Sequence, residues 1–190
     1  MERRQPKRPR YSKASALFDA WAAEYASDRE ALRQRLIREI QSAFDGVQLG
    51  NGVSLHQARA IDNYSLPADV AAARELDTEE RWQDVPDEKV DQLGDTLPFL
   101  DAEGLRFYLP RFVLFALFHH VGSKYSSSWA CEAAMNSCSV RGTTGRFSLL
   151  TQAQRDVLEA CDKFFWDEER GRGQALEGDS RPEIPRSISG

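Results

Sequence analysis

The stretch LDAEGLRFYLPRFVLFALFHH (residues 100–120) is the most apolar part of the chain and decides its fold class. It does not have the pattern of a membrane span, which needs about 20 consecutive apolar residues. Arg106, Pro110 and Arg111 interrupt the run. We therefore expect the stretch to form the core of a water-soluble domain.

The same stretch contains a helix start and a helix breaker. Asp101 is typical of an N-cap, because its carboxylate can accept hydrogen bonds from the first backbone N–H groups. Pro110 lacks a backbone donor and clashes with the carbonyl one turn earlier. The pattern predicts two helical pieces, 102–108 and 110–120, and hence a central buried helix pair near 102–120.

Helical signals also dominate the rest of the chain. Two capping boxes, Ser27-x-x-Glu30 and Thr151-x-x-Gln154, predict helix starts, because the hydroxyl and the acid or amide bond to each other's backbone N–H groups. Further starts are predicted at Ser54, Pro67, Pro86 and Ser128. No alternating pattern long enough for a strand occurs. The predicted fold class is therefore all-α or nearly so, a compact multi-helix domain with short helices punctuated by prolines.

Composition predicts one domain with unfolded ends. The chain has 190 residues, 41% of them hydrophobic and 29% charged, which is an ordinary globular mixture. Residues 1–13 hold six Lys or Arg against one Glu and few apolar residues, so they are predicted to form a disordered basic tail. Residues 14–168, beginning with a helix over 15–25, form the predicted helical domain. Residues 169–190 are predicted to be a disordered C-terminal tail.

Acidic residues concentrate in the segment 62–103, which holds 13 acids against three bases. An acidic surface repels nucleic acid and membrane surfaces and suits a basic protein partner. We therefore predict a non-catalytic protein-binding module, of the immunity or antitoxin type, whose acidic segment contacts a basic toxin or effector. A merely solvated surface is the alternative for such a charge run. The predicted contact residues are Asp77, Glu79, Glu80, Asp84, Asp87, Glu88 and Asp91.

The three cysteines, Cys131, Cys138 and Cys161, bear on the compartment. An odd number cannot all pair in a disulfide framework, so reduced and buried thiols are expected. The first apolar stretch, ALFDAWAAEY, is broken by Asp19 and Glu24 and does not resemble an export signal. Both features predict a cytoplasmic protein.

Catalytic and metal motifs are absent from the sequence. His119 and His120 are adjacent on a predicted helix and point about 100° apart, so neither a shared metal ion nor any cofactor is predicted. The alternative function is an enzyme of unknown class with a site assembled from Asp62, Arg106, Tyr108 and His119. In that site the arginine and tyrosine would bind an anionic group. A further alternative is nucleic-acid contact through the basic tail, residues 1–13.

Four fragments in fixed order carry a resemblance: AIDNYS (60–65), AARELDTEERWQDVPDE (72–88), LPFLDAEGLRFYLPRFVLFAL (97–117) and FSLLTQAQRDVLEACDKFF (147–165). The chain resembles a family of small bacterial proteins known only as a domain of unknown function. The similarity extends over residues 32–166, with FLDAEGLRFYLP and FSLLTQAQ as its motifs. Because the family has no assigned activity, the resemblance implies no catalytic or binding residue.

Overall fold

The computed structural model describes residues 29–120, 123–139 and 145–178, and their fold is all-α, as the sequence predicts. The α-helices are α1 (Arg29–Ala43), α2 (Leu55–Asp62), α3 (Pro67–Ala73), α4 (Asp87–Gln92), α5 (Ala102–His119), α6 (Trp129–Cys138) and α7 (Gln152–Gly178). Short 3-10 helices cover Arg74–Leu76, Trp82–Asp84, Gly94–Phe99 and Gly145–Phe147. These described ranges contain no β-strand.

Helix α5 lies at the centre of the domain. Twelve of its 18 residues are buried, and they include Phe107, Phe112 and Phe115 at 0% exposure. A helix that is apolar nearly all round must be covered on every side. The helices α1, α4 and α6 pack against it, and α6 makes the most extensive contact. The predicted buried centre near 102–120 is confirmed, but it is one helix rather than a pair.

Pro110 does not divide this helix, so the predicted separation into 102–108 and 110–120 is wrong. Helix α5 runs from Ala102 to His119 with Pro110 inside it. Proline inside a helix costs about 3 kcal/mol, whereas burying one large apolar side chain contributes about 1.5–3 kcal/mol. The dozen buried residues of α5 therefore outweigh the cost of one proline.

The start of α5 is held by a side-chain cap and a close backbone contact. Asp101 accepts hydrogen bonds from the Gly104 N–H at 2.8 Å and from the Val53 N–H at 3.0 Å. A Cβ atom on Gly104 would lie 2.2 Å from the Val53 carbonyl oxygen. The N-cap predicted at Asp101 is confirmed, and glycine is required at position 104 because the loop before α2 lies directly against it.

Helix α7 closes the other side of the core. Its predicted capping box is present: the Thr151 N–H donates to Gln154 Oε1 at 3.0 Å, and the Gln154 N–H donates to Thr151 Oγ1 at 3.3 Å. Gln154 Nε2 also donates to the Ala43 carbonyl at 3.0 Å, which joins the start of α7 to the end of α1. The helix continues to Gly178, past the domain boundary predicted at residue 168. An established helix gains one backbone hydrogen bond per added residue, which favours this extension.

The segment between α3 and α4 is anchored by Trp82. Its side chain is 1% exposed, and its indole Nε1 donates to the Phe44 carbonyl at 3.0 Å. The short turn predicted at Trp82 is confirmed as a 3-10 helix. This anchor fixes the acidic segment to the core.

Three predictions lie outside the described residues: the basic tail 1–13, the helix over 15–25 and the cap at Ser27. The described part of the chain has no helix with the length and apolarity that crossing a membrane requires.

Candidate functional site

Asp77 lies inside the protein rather than on its acidic surface. Its side chain is 1% exposed. It accepts a hydrogen bond from the His56 backbone N–H at 2.8 Å, and the His56 ring Nδ1 lies 2.8 Å from its other oxygen. Burial by itself raises the pKa of this carboxyl, but hydrogen bonds from His56 and Ser54 lower it by more, so the pKa lies below its ordinary value. Asp77 is therefore ionised in the fold and satisfied by internal partners.

Lys89 of α4 joins Asp77 to Glu79. Its Nζ atom lies 3.2 Å from Asp77 Oδ1 and 2.6 Å from Glu79 Oε1. It also donates to the Leu76 carbonyl at 3.2 Å. The Lys89 and Glu79 side chains are only 16% and 13% exposed, so this is a partly buried ion-pair network. It ties the segment after α3 to α4 and occupies two of the seven predicted contact residues.

Asp87 forms a second internal cluster at the start of α4. It forms an ion pair with Arg111 of α5, and its Oδ2 lies 3.0 Å from His119 Nε2. Arg111 also donates to the Val85 carbonyl at 2.6 Å. Burial raises the pKa of Asp87, but the bonds from His119 and Arg111 lower it more, so its pKa is also below the ordinary value. The cluster fastens α4 to α5.

Together with Ser123, this cluster forms a chain of contacts that runs from a serine to a histidine to an aspartate. Besides the Asp87 contact, His119 Nδ1 lies 3.2 Å from Ser123 Oγ. Hydrolase triads place these groups in the same order. Here, however, Asp87 is neutralised by Arg111, and Ser123 Oγ accepts the Tyr125 N–H at 2.9 Å, which is a turn-stabilising bond. The arrangement accounts for how the turn after α5 is held.

The other predicted contact residues face solvent. Glu80, Asp84 and Glu88 are exposed, and Asp91 is partly exposed. Asp84 lies 3.6 Å from Arg81, but both side chains are more than half exposed, and such pairs are weak. We call Glu80, Asp84, Glu88 and Asp91 the acidic face. The structure thus divides the seven predicted acids into three internal partners and four surface carboxylates.

The acidic segment 62–103 also contains exposed apolar side chains. Tyr64 is 96% exposed, Leu66 71% and Leu76 60%. Helix α3, which separates the first two from the third, has no buried residue. Sequence reasoning missed these three residues. The available signal was that PADVAAA is rich in alanine and lacks the stripe of large apolar residues that would turn its neighbours inward.

The four residues of the enzyme alternative do not converge. Tyr108 and His119 are eleven residues apart on α5, which is about 16 Å along a helix axis. Tyr108 is 1% exposed, and burial raises the pKa of its hydroxyl well above the ordinary range. Asp62 lies 3.6 Å from Arg59 at the surface. Arg106 has a buried Nε without a hydrogen-bond partner in the described structure.

Each of the two adjacent histidines of α5 has a partner of its own, and the cysteines are buried. His120 is 5% exposed, with Nδ1 2.6 Å from the Ala116 carbonyl, whereas His119 binds Asp87. All three cysteines are free and buried, and burial raises the pKa of Cys131 to about 11. The described residues contain no group of three or more His, Cys, Asp or Glu side chains that could hold a metal ion.

Comparison with known proteins identifies a family. No curated protein and no solved structure matches the chain. One family model, described as a family of unknown function, matches residues 32–174, which include every α-helix from α2 to α6 and most of α1 and α7. The chain therefore belongs to DUF6714, a family of unknown function.

Proposed function

We propose that this chain is a non-catalytic protein-binding module that recognises a basic partner through its acidic face. The observation that carries the proposal is the set of exposed carboxylates at Glu80, Asp84 and Glu88, whose only ion pair within the described ranges is the weak one between Asp84 and Arg81. Such a surface accelerates association with a cationic protein and disfavours acidic ones. An immunity or antitoxin-like role in the cytoplasm, with a basic toxin or effector as the partner, fits this chemistry.

The rigidity of the acidic face supports the proposal. The segment that bears it is held at Trp82 by the bond to Phe44, at Val85 by Arg111 and at Lys89 by Asp77 and Glu79. A surface that is already ordered loses less conformational entropy when a partner binds. The internal acids thus contribute by positioning the exposed ones.

The neighbouring apolar residues also support it. Leu76 is 60% exposed, and its carbonyl accepts a hydrogen bond from Lys89, so it lies beside α4. Protein interfaces commonly combine apolar contacts with a polar rim. The expected partner surface is therefore basic with at least one exposed apolar side chain.

Two charge-reversal variants test the proposal. E80K/E88K reverses two carboxylates of the acidic face, and the control E30K/E39K makes the same change of +4 in net charge at exposed or half-exposed positions on α1, outside the segment 62–103. Proximity labelling in the source cells should mark a basic protein with the wild type and the control but not with E80K/E88K. The purified partner should bind E80K/E88K at least about tenfold more weakly by calorimetry.

The affinity for the wild type should also fall as salt is raised, since exposed charges are screened. For the immunity or antitoxin role, co-expression of the wild type should relieve toxicity of the partner and E80K/E88K should not. The proposal is wrong if both variants lose the same proteins, or if the proteins that depend on Glu80 and Glu88 are acidic.

A further inference from the structure

A groove of about 300 Å³ lies between the 3-10 helix Gly94–Phe99, helix α6 and Arg146. The volume lies at the lower end of the range of about 300–1,000 Å³ that is typical of small-molecule pockets. Pro98 and Ala133 supply apolar walls that solvent can reach. Small-molecule sites are typically of this kind, apolar clefts with a few polar groups.

Trp129 is the first feature that points to a ligand. It is the first residue of α6, lines the groove and is 69% exposed. Its backbone is fixed by the N-cap, because Ser128 Oγ accepts the Ala130 N–H at 3.2 Å. An indole ring that faces an apolar groove offers a large stacking surface at little conformational cost.

Arg146 is the second, independent feature. Its Nη1 donates to the Leu97 carbonyl at 3.0 Å, and its guanidinium lies 5.0 Å from the centre of the Phe147 ring. It is half-buried and forms no ion pair with any acid in the described part of the chain. Burial lowers its pKa without an opposing carboxylate. A partly desolvated cation without a counter-ion is unfavourable, and a carboxylate can bind a guanidinium through two parallel hydrogen bonds.

The acidic residues that line the groove indicate which class of anion can bind there. Asp95 is already bound by Arg59, whose Nη1 donates to Asp95 Oδ2 at 2.9 Å. Glu132 also lines the groove and is exposed. Its negative charge repels anions in proportion to their own charge. A single carboxylate therefore fits better than a phosphate.

We propose that this groove binds a monocarboxylate carried on an apolar, preferably aromatic, body. Arg146 pairs with the carboxylate, and Trp129 stacks on the body against Pro98 and Ala133. The same chemistry is presented by a free small acid and by the C-terminal residue of a peptide. The site is separate from the acidic face, so the proposal does not depend on the protein-binding function.

The experiment is a titration of the isotope-labelled full chain by NMR, with the Trp129 indole signal assigned through Trp129→Phe. The probes are 3-phenylpropionate, its amide, and an acetylated tripeptide ending in phenylalanine with a free or an amidated C-terminus. A carboxylate probe should bind with a dissociation constant of about 1 mM and shift the Trp129 signal. Its amide should bind at least about tenfold more weakly, and inorganic phosphate should leave the signal in place.

Variants assign the contact. Arg146→Gln should weaken the carboxylate at least about tenfold, and Arg146→Lys should weaken it less because the charge remains. The exposed Arg38→Gln is the matched control and should leave binding unchanged. Tighter binding of the peptide than of 3-phenylpropionate would identify a peptide C-terminus as the source, and the reverse would identify a free acid.

Three results would overturn the proposal: equal binding of acid and amide, no shift of the Trp129 signal by either carboxylate up to about 10 mM, or unchanged binding in Arg146→Gln. Thermal unfolding checks that each variant is folded. If Arg146→Gln does not fold, the proposal is tested by comparing how tightly the wild type binds 3-phenylpropionate and its amide.

Discussion

The internal role of Asp77 gives a quantitative prediction for Asp77→Asn. The substitution removes the charge that faces Lys89 in a network whose side chains are 1% and 16% exposed. Breaking a fully buried pair costs about 3–5 kcal/mol. Because Lys89 keeps Glu79 and is partly exposed, we expect a loss of about 2 kcal/mol in the free energy of unfolding. For a chain of this size that loss lowers Tm by about 4–8 °C.

Urea unfolding at pH 7 measures this loss, with Glu80→Gln as the control. Glu80 is the exposed neighbour from the same acidic segment, so its substitution should change the unfolding free energy by less than about 0.5 kcal/mol. If Asp77→Asn also stays within about 0.5 kcal/mol, the internal role assigned to Asp77 is refuted.

The same network makes stability depend on pH. The pKa of Asp77 is lower in the fold than its unfolded value of about 3.9. The stabilisation is therefore fully present above the unfolded pKa and is lost as pH falls through the folded pKa. The difference between the wild type and Asp77→Asn should shrink when unfolding is measured at about pH 3 rather than pH 7. A difference that grows on acidification would contradict the assigned direction of the shift.

Three further predictions concern the core. Gly104→Ala should lower the free energy of unfolding in urea by about 1–3 kcal/mol, because its Cβ would lie 2.2 Å from the Val53 carbonyl oxygen. Helix propensity alone predicts a gain of about 1 kcal/mol, so the sign of the measured change distinguishes the close contact from propensity. Trp82→Phe should cost about 2 kcal/mol through the lost bond to Phe44, and the exposed Trp129→Phe should change the same unfolding free energy by less than about 0.5 kcal/mol. A thiol reagent at pH 7 should modify Cys131, Cys138 and Cys161 only after the protein unfolds. All three thiols are buried, and burial raises the pKa of Cys131 to about 11. Rapid modification of the folded protein would contradict this prediction, because it would show that a cysteine is accessible.

Local features of the fold were predictable because they depend on neighbours in the sequence. The cap at Asp101 and the Thr151–Gln154 box each involve groups within three residues. Helix α3 begins at Pro67, as predicted, because proline is tolerated at that position. The continuity of α5 through Pro110 was mispredicted, because a local penalty was weighed without the burial energy that neighbouring helices contribute.

The candidate site was only partly predictable. The segment 62–103 was identified by its excess of acids, but their individual roles depend on distant residues. His56, Arg111 and His119 are 21, 24 and 32 residues from the carboxylates that they contact. No spacing rule relates residues so far apart. The groove beside Trp129 escaped prediction for the same reason, since Leu97 and Arg146 meet across 49 residues.

The sequence by itself determined that this protein is helical, where most helices begin, and that residues 100–120 form its core. These properties follow from hydrogen bonds and apolar periodicity within a few turns of chain. Only the tertiary structure decided which carboxylates are internal and which face solvent, and that Arg146 and Trp129 line the same groove. Those properties depend on which distant side chains the packing of α5 brings together, and burial then decides whether a charge is neutralised inside the protein or left exposed to solvent.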